Sequence, residues 1–206
     1  MVPLRAPGAV TGLPRSEDIV RFHDDGLKAP LEQSGVWAAI EANHLHNSRL
    51  WEQEDLARRK QAPDAEIAGN KRAIDHHNQK RNDAIERIDE ALLVSLEKIS
   101  RKKDARLNSE TAGAMIDRLS ILALKIRAMR AQTERTDVDR EHIESCRMKL
   151  GRLVEQRSDL AGCLDRLLEE SARGESYFKV YRQFKMYNDP NLNPAVYNEA
   201  RRSTRS

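Results

Sequence analysis

Hydrogen-bonding residues recur along this chain at positions where a helix should be apolar. Steps of three and four residues join Trp37, Ile40, His44, Asn47, Trp51, Asp55 and Arg58, with Glu54 beside them. At 100° per residue they share one arc of a helix. A second stripe follows: Ile67, Lys71, Ile74, Asn78, Asn82, Ile85, Asp89, Leu92 and Leu96, flanked by Asp75 and Glu86. Leaving such polar groups buried and unpaired costs roughly 2–7 kcal/mol each, so something must answer them. One answer is an interhelical network in which Asp55, Arg58, Lys71 and Asp89 pair and fix helix register. The other is a polar pocket between helices, a usual place for sites in bundles.

The pocket reading assigns chemistry. Lys71, Arg58 and Arg157 would hold a small anionic ligand, and Asn47, Asn78, Asn82 and Trp51 would orient it. His44 would be a general base working with Asp55 or Glu86, although a lone His on a helix also serves as an ordinary core residue. The carboxylates, Glu54, Asp75 and Asp89 above all, suit Mg²⁺, a hard cation that takes oxygen ligands. Farther along, Asp117 and Lys125 lie away from the Leu119 side of a third helix and need partners if that helix is central. Arg157, at a seam position of a fourth helix, is a candidate partner for a carboxylate or an anion.

The elements that carry these residues read as long helices. Charged residues make up 33% of the chain and aromatic ones 4%, a balance that fits helices better than sheets. We expect an all-α bundle of four long antiparallel helices, with a short N-terminal helix and an aromatic C-terminal helix plus loop. Ser16-Glu17-Asp18 caps the short helix, which runs to about Leu27 before Pro30. The long helices are expected at 31–59, from Pro63-Asp64 toward Lys103, from Asn108-Ser109-Glu110 to about Thr133, and from Asp137 to a stop at Gly174. In the last, Ile143, Cys146, Leu150, Leu153, Arg157, Leu160, Leu164 and Leu167 keep a coiled-coil spacing. The third carries apolar residues on opposite sides (Leu119, Leu122, Ile126 and Met129 against Ile121 and Leu124) and belongs near the centre. Residues 1–15 read as a flexible leader, 16–199 as a single domain and 200–206 as a basic tail.

Several classes are disfavoured. No run of eighteen apolar residues suggests a membrane span or of signal-peptide pattern suggests secretion. Cys146 and Cys163 lie about 25 Å apart along one helix at 1.5 Å per residue, too far for a disulfide, and a reducing cytoplasm is the simplest home. There is no Gly-rich phosphate loop, Gly-x-Ser-x-Gly elbow or His-Glu-x-x-His run. The segment 173–206 is basic, with seven Lys and Arg against three acidic residues, and six of the seven Phe and Tyr fall between Tyr177 and Tyr197. Lys179, Arg182 and Lys185 among Tyr177, Phe178, Tyr181 and Phe184 are a pattern that could stack bases. The same spacing would bury those rings on a bundle, and with the rest of the chain near neutral, nucleic acid is an unfavoured partner.

Taken together, the motifs resemble a bacterial family known as domain of unknown function 4254. They are His44-x-x-Asn47-x-x-Leu50-Trp51-x-x-Glu54-Asp55-x-x-Arg58 and Ile74-Asp75-x-x-Asn78-Gln79-x-Arg81-Asn82-Asp83-x-Ile85-Glu86-x-Ile88-Asp89. Glu110-Thr111-x-Gly113, Asp117-Arg118-Leu119-Ser120 and Lys185-Met186-Tyr187-Asn188-Asp189-Pro190 complete them. The resemblance covers about Glu41 to Tyr197 and brings no assigned chemistry. It implies a setting near glycosyltransferase, glycan or natural-product genes, and hence a sugar- or nucleotide-linked ligand. The expected role is therefore a small-molecule enzyme or ligand-binding protein with an anionic ligand. The alternative is a non-enzymatic helical partner of a biosynthetic enzyme; beside the anionic ligand, the candidate partners are such an enzyme or a second copy in a homodimer.

Overall fold

The computed structural model describes residues 13–25, 35–183, 186 and 189–203, with side chains as far as residue 198. Most of the expected leader, the expected stop at Pro30, and Phe184 and Lys185 lie outside the described residues. The elements are α1 (Ser16–Asp25), α2 (Val36–Ala57), α3 (Asp64–Leu96), β1 (Arg106–Leu107), α4 (Ala112–Thr133), α5 (Arg140–Ala172), β2 (Ser176–Tyr177) and α6 (Pro194–Ser203). The chain is an all-α bundle. No helix among the described residues is long and apolar enough to cross a membrane.

Two helix pairs make the frame. Arg59 reaches Glu66 across the connection between α2 and α3, and farther along His46 meets His77, so the two helices run in opposite directions. α4 packs on α5 and also on α1, α2 and α3. That central position explains its apolar residues on several faces: Ala112, Ile116, Leu119, Leu124 and Ile126 are all buried. The seam of α5 supplies Leu160, Leu164, Leu167 and Leu168 to the same core. α1 docks through Phe22 and through Ser16, whose N–H and hydroxyl donate to Asp165 of α5 at 2.9 and 2.7 Å.

The helix ends follow local chemistry. Thr111 caps α4 by accepting the Ala114 N–H, and Asp139 caps α5 by accepting the His142 N–H at 2.7 Å, satisfying donors a helix start leaves open. Gly174, at φ 72°, ends α5 in the left-handed conformation that favours glycine.

Two expectations need correction. α3 stops at Leu96 and does not continue toward Lys103, and the described part of the aromatic segment after α5, as far as Gln183, is not a helix. Both changes have one cause. The Lys102 N–H donates to the Gly174 carbonyl, Arg106 N–H to Glu175 and Asn108 N–H to Tyr177, so the two connections pair as the parallel strands β1 and β2. Phe178 then enters the core at 1% exposure, and Arg182 fastens the extended chain to Glu86 and Glu90 of α3 at 2.8 and 2.6 Å.

Where α3 crosses the start of α4, Gly113 is required for space. A Cβ there would lie 2.6 Å from the Ile85 carbonyl oxygen and 2.9 Å from Asp89 Cγ. Gly113→Ala is therefore expected to cost about 1–2 kcal/mol in thermal unfolding. Overpacking of about 1–3 kcal/mol outweighs the gain of up to ~1 kcal/mol in helix propensity, and a variant as stable as the parent would contradict this close approach.

Candidate functional site

The polar residues of α2 separate into two levels. The deeper level is closed. Asp117 Oδ1 of α4 accepts the Asn43 and Asn47 amides at 2.8 and 2.9 Å. Asn47 Nδ2 also lies 3.0 Å from Ser120 Oγ and 3.3 Å from Asn43 Oδ1, so its two hydrogens are shared among three acceptors. Ser120 Oγ is 2.8 Å from His44 Nδ1. All five side chains are at most 5% exposed, and Arg81 Nε stands 3.4 Å from Asp117 Oδ1 at the outer edge.

His44 faces away from the interface of α2 with α3. Its ring stacks on His23 of α1 with centroids 4.7 Å apart and meets Phe22 edge-on. Burial lowers its pKa to about 4, with the Arg127 charge adding to the effect and Asp24 opposing it. A neutral imidazole bonded to a serine inside the core is a structural group. Asp55, eleven residues along α2, is about 16 Å away at 1.5 Å per residue, and Glu86 lies on α3 beneath Arg182. His44, Asp55 and Glu86 are thus not brought together as an acid–base set.

The outer level is open. A cleft of about 430 Å³ between α2, α3 and α4 is lined by Asn47, Trp51, Glu54, Asp55, Arg58, Asn78 and Arg81, with Leu50, Ile121 and Leu124 as its apolar wall. Six of the expected site residues meet here because the facing stripes of α2 and α3 converge on it. Arg58 is bound to the Glu54 carboxylate at 2.7 Å. The side chains of Asn78 and Asp55 have no hydrogen bond or ion pair among the described residues. A second cleft, of about 620 Å³, shares Trp51 and Asp55 and continues between α4 and α5. Its floor is Ala128, Met129 and Leu153, and its rim carries Lys125, Lys149 and Arg152. None of these three cations has an ion pair among the described residues.

The remaining expected residues lie elsewhere. Lys71 is held by Asp75 one turn away at 2.8 Å on an exposed stretch of α3. Arg157 points to α1, where Asp24 takes it at 2.6 Å. Asn82, Glu86 and Asp89 line a separate cavity beside the start of α4. Asp89, 2% exposed, accepts the Gly113 N–H at 2.6 Å and a hydrogen bond from the Thr111 hydroxyl. Burial pushes its carboxyl up to about 6 against those two bonds, and Glu86 and Glu90 add to the rise. Its ionisation therefore costs stability as pH rises from about 4 to 6. The expected metal ligands Glu54, Asp75 and Asp89 do not converge. The first two are taken by basic neighbours on their own helices and the third by α4, and no three His, Cys, Asp or Glu among the described residues form a metal-binding group.

Sequence reading missed Asn43, Ser120, Arg81, Lys149 and Arg152. Asn43 had a signal, since it stands one turn before Asn47, as Arg81 does after Asn78. Lys149 and Arg152 had none, because basic residues off the seam of α5 read as solvated.

The family described as "protein of unknown function (DUF4254)" matches residues 37–180. No curated protein and no solved structure matches the chain.

Proposed function

Because the chain belongs to the DUF4254 family, whose description assigns no activity, we propose a function from the geometry: it binds a small anionic molecule across the ridge formed by Trp51 and Asp55. One observation carries this reading. The two adjoining clefts present Arg58, Arg81, Lys125, Lys149 and Arg152 against only Glu54 and Asp55, above an apolar floor. Three cations without an ion pair among the described residues, set around a partly enclosed apolar surface, favour an anion attached to a planar or apolar body. A nucleotide-linked sugar of a bacterial glycan or natural-product pathway has that shape, with its phosphates toward Lys125, Lys149 and Arg152. Trp51 would stack on its body, and Asn78 would hydrogen-bond the polar end. Asp55, without a basic partner among the described residues, is the group placed to accept a proton from a bound hydroxyl if the ligand is transformed.

Calorimetric titration with uridine diphosphate glucose and with inorganic pyrophosphate tests the reading. The Lys149→Glu, Arg152→Glu double variant is expected to bind at least about tenfold more weakly, since each charge-assisted hydrogen bond is worth about 1.5–3 kcal/mol. Asn78→Leu should weaken the sugar nucleotide more than pyrophosphate while leaving the melting temperature within about a degree or raising it, because the amide has no partner to lose among the described residues. Failure of both probes to bind the parent chain, or equal binding by the double variant, would overturn the anion site. The outer clefts would then favour a helical partner protein.

A further inference from the structure

The junction where the ends of α3 and α5 meet β2 encloses a cavity of about 290 Å³ that shares no residue with the clefts around Trp51 and Asp55. Leu93, Leu96, Ile99 and the buried Phe178 form its apolar wall. Ser171, in the last turn of α5, also lines it, is 5% exposed, and its buried hydroxyl has no hydrogen-bond partner among the described residues. A helical serine commonly turns its hydroxyl back to the carbonyl four residues earlier. Ser48 and Ser95 do so, donating to the His44 and Ala91 carbonyls at 2.9 and 3.2 Å. Ser171 does not, so a group seated in the cavity is the partner within its reach.

Two opposite charges stand at the mouth. Arg101 and Glu97 line the cavity, are both exposed, and neither has an ion pair among the described residues. Three neighbouring basic groups are taken, Lys102 and Arg173 by Glu175 and Arg106 by Glu170. Arg101 instead lays its guanidinium over the Tyr177 ring, 4.2 Å from the centroid. A guanidinium held by its face keeps its N–H edges for a carboxylate. The backbone fixes this cation close to Ser171, because the Lys102 N–H donates to the Gly174 carbonyl at 2.9 Å and the Gly174 N–H to the Ser171 carbonyl at 3.0 Å.

We infer that this cavity binds a free α-amino acid with a hydroxylated aromatic side chain, its carboxylate on Arg101, its ammonium on Glu97 and its hydroxyl on Ser171. A simple carboxylic acid would be repelled by Glu97 and a simple amine by Arg101, whereas a zwitterion answers both charges. The apolar wall calls for an apolar body. The volume, at the lower end of the roughly 300–1,000 Å³ of small-molecule pockets, suits a single amino acid rather than a nucleotide. An aliphatic or plain aromatic side chain would leave the Ser171 hydroxyl buried and unpaired, while a phenol can both donate to it and accept from it.

The test is equilibrium dialysis of the full chain against labelled L-tyrosine, with L-phenylalanine, tyramine and desaminotyrosine as competitors. L-Tyrosine should bind, and L-phenylalanine should compete at least about fivefold more weakly. Tyramine, which lacks the carboxylate, and desaminotyrosine, which lacks the ammonium, should each compete at least about tenfold more weakly. Arg101→Gln should weaken L-tyrosine by at least about tenfold. Ser171→Ala should abolish the preference for L-tyrosine over L-phenylalanine without lowering the melting temperature, since the hydroxyl it removes has no partner among the described residues. No binding of L-tyrosine by the parent, unchanged binding in Arg101→Gln, a preference kept in Ser171→Ala, or tyramine or desaminotyrosine binding as well as L-tyrosine would each overturn the proposal.

Discussion

Asp117→Ala is expected to destabilise the chain by about 3–5 kcal/mol, the largest loss from any single change in the polar interior. Two amide groups, Asn43 and Asn47, donate to the one oxygen Asp117 Oδ1, and both are nearly inaccessible to water. Removing the acceptor strands both donors, at about 1–3 kcal/mol each, and leaves Arg81 Nε, 3.4 Å away, without its countercharge. Asp117→Asn should cost less, about 1–2 kcal/mol, because one oxygen can still accept. Urea unfolding of the two variants reads both quantities. A loss under 1 kcal/mol for Asp117→Ala would mean that the network does not hold α2 on α4, and that these buried groups must be explained by binding.

This network and the clefts outside it show why two readings of the same stripe were both open in the sequence. A helical period tells which residues share an arc, and the arc of α2 did gather Asn47, Trp51, Glu54, Asp55 and Arg58 with Asn78 of α3. The period does not say which neighbour each part of the arc faces. His44 and Asn43 lie at the level where α1 and α4 close over α2, so they are sealed, whereas Trp51 and Asp55 lie beyond α1 and stay open. Asn82, Glu86 and Asp89 share the stripe of Asn78 but sit beside the start of α4, at a different cavity.

The fold was legible for a related reason. The α5 stripe of Leu153, Leu160, Leu164 and Leu167 has one physical meaning, and Gly174 ends the helix where it was expected, whereas the start falls at the Asp139 cap, two residues after the expected Asp137. The aromatic segment was not legible. Its form is set by pairing Arg106 with Ser176 and Leu107 with Tyr177, residues about seventy apart in sequence, and by the hole that Phe178 fills. Neither the propensity of Phe178 nor its spacing from Tyr181 carries that information. Lys149 and Arg152 were missed for the same cause: a cation becomes a site residue only when the surrounding acids are counted in space.

Acid should loosen the attachment of α1 more than any other feature of the bundle. His44 is held neutral with a pKa of about 4, and burial, helped by the His44 and Arg157 charges, lowers His23 well below 6.5. The unfolded chain therefore takes up protons at these sites between pH 6.5 and 4 while the folded chain does not, so stability falls as pH falls through that window. For His44, lowered from 6.5 to about 4, the full effect is about 3 kcal/mol, and His23 adds to it. Asp89 works in the opposite direction over part of the same range, which is why variants rather than the parent curve alone must be compared. His23 offers the cleaner variant, since neither ring nitrogen has a hydrogen-bond partner among the described residues. His23→Phe keeps a ring against His44, removes two unsatisfied polar atoms and is expected to raise stability at pH 7.5 by about 1–2 kcal/mol. It should also shrink the loss between pH 6.5 and 4, while His44→Gln, which offers Ser120 an acceptor that does not titrate in this range, should remove most of the rest. Urea unfolding at pH 7.5, 6, 5 and 4 measures the slopes; acid limbs in His23→Phe and His44→Gln as steep as the parent's would show that other groups drive the transition.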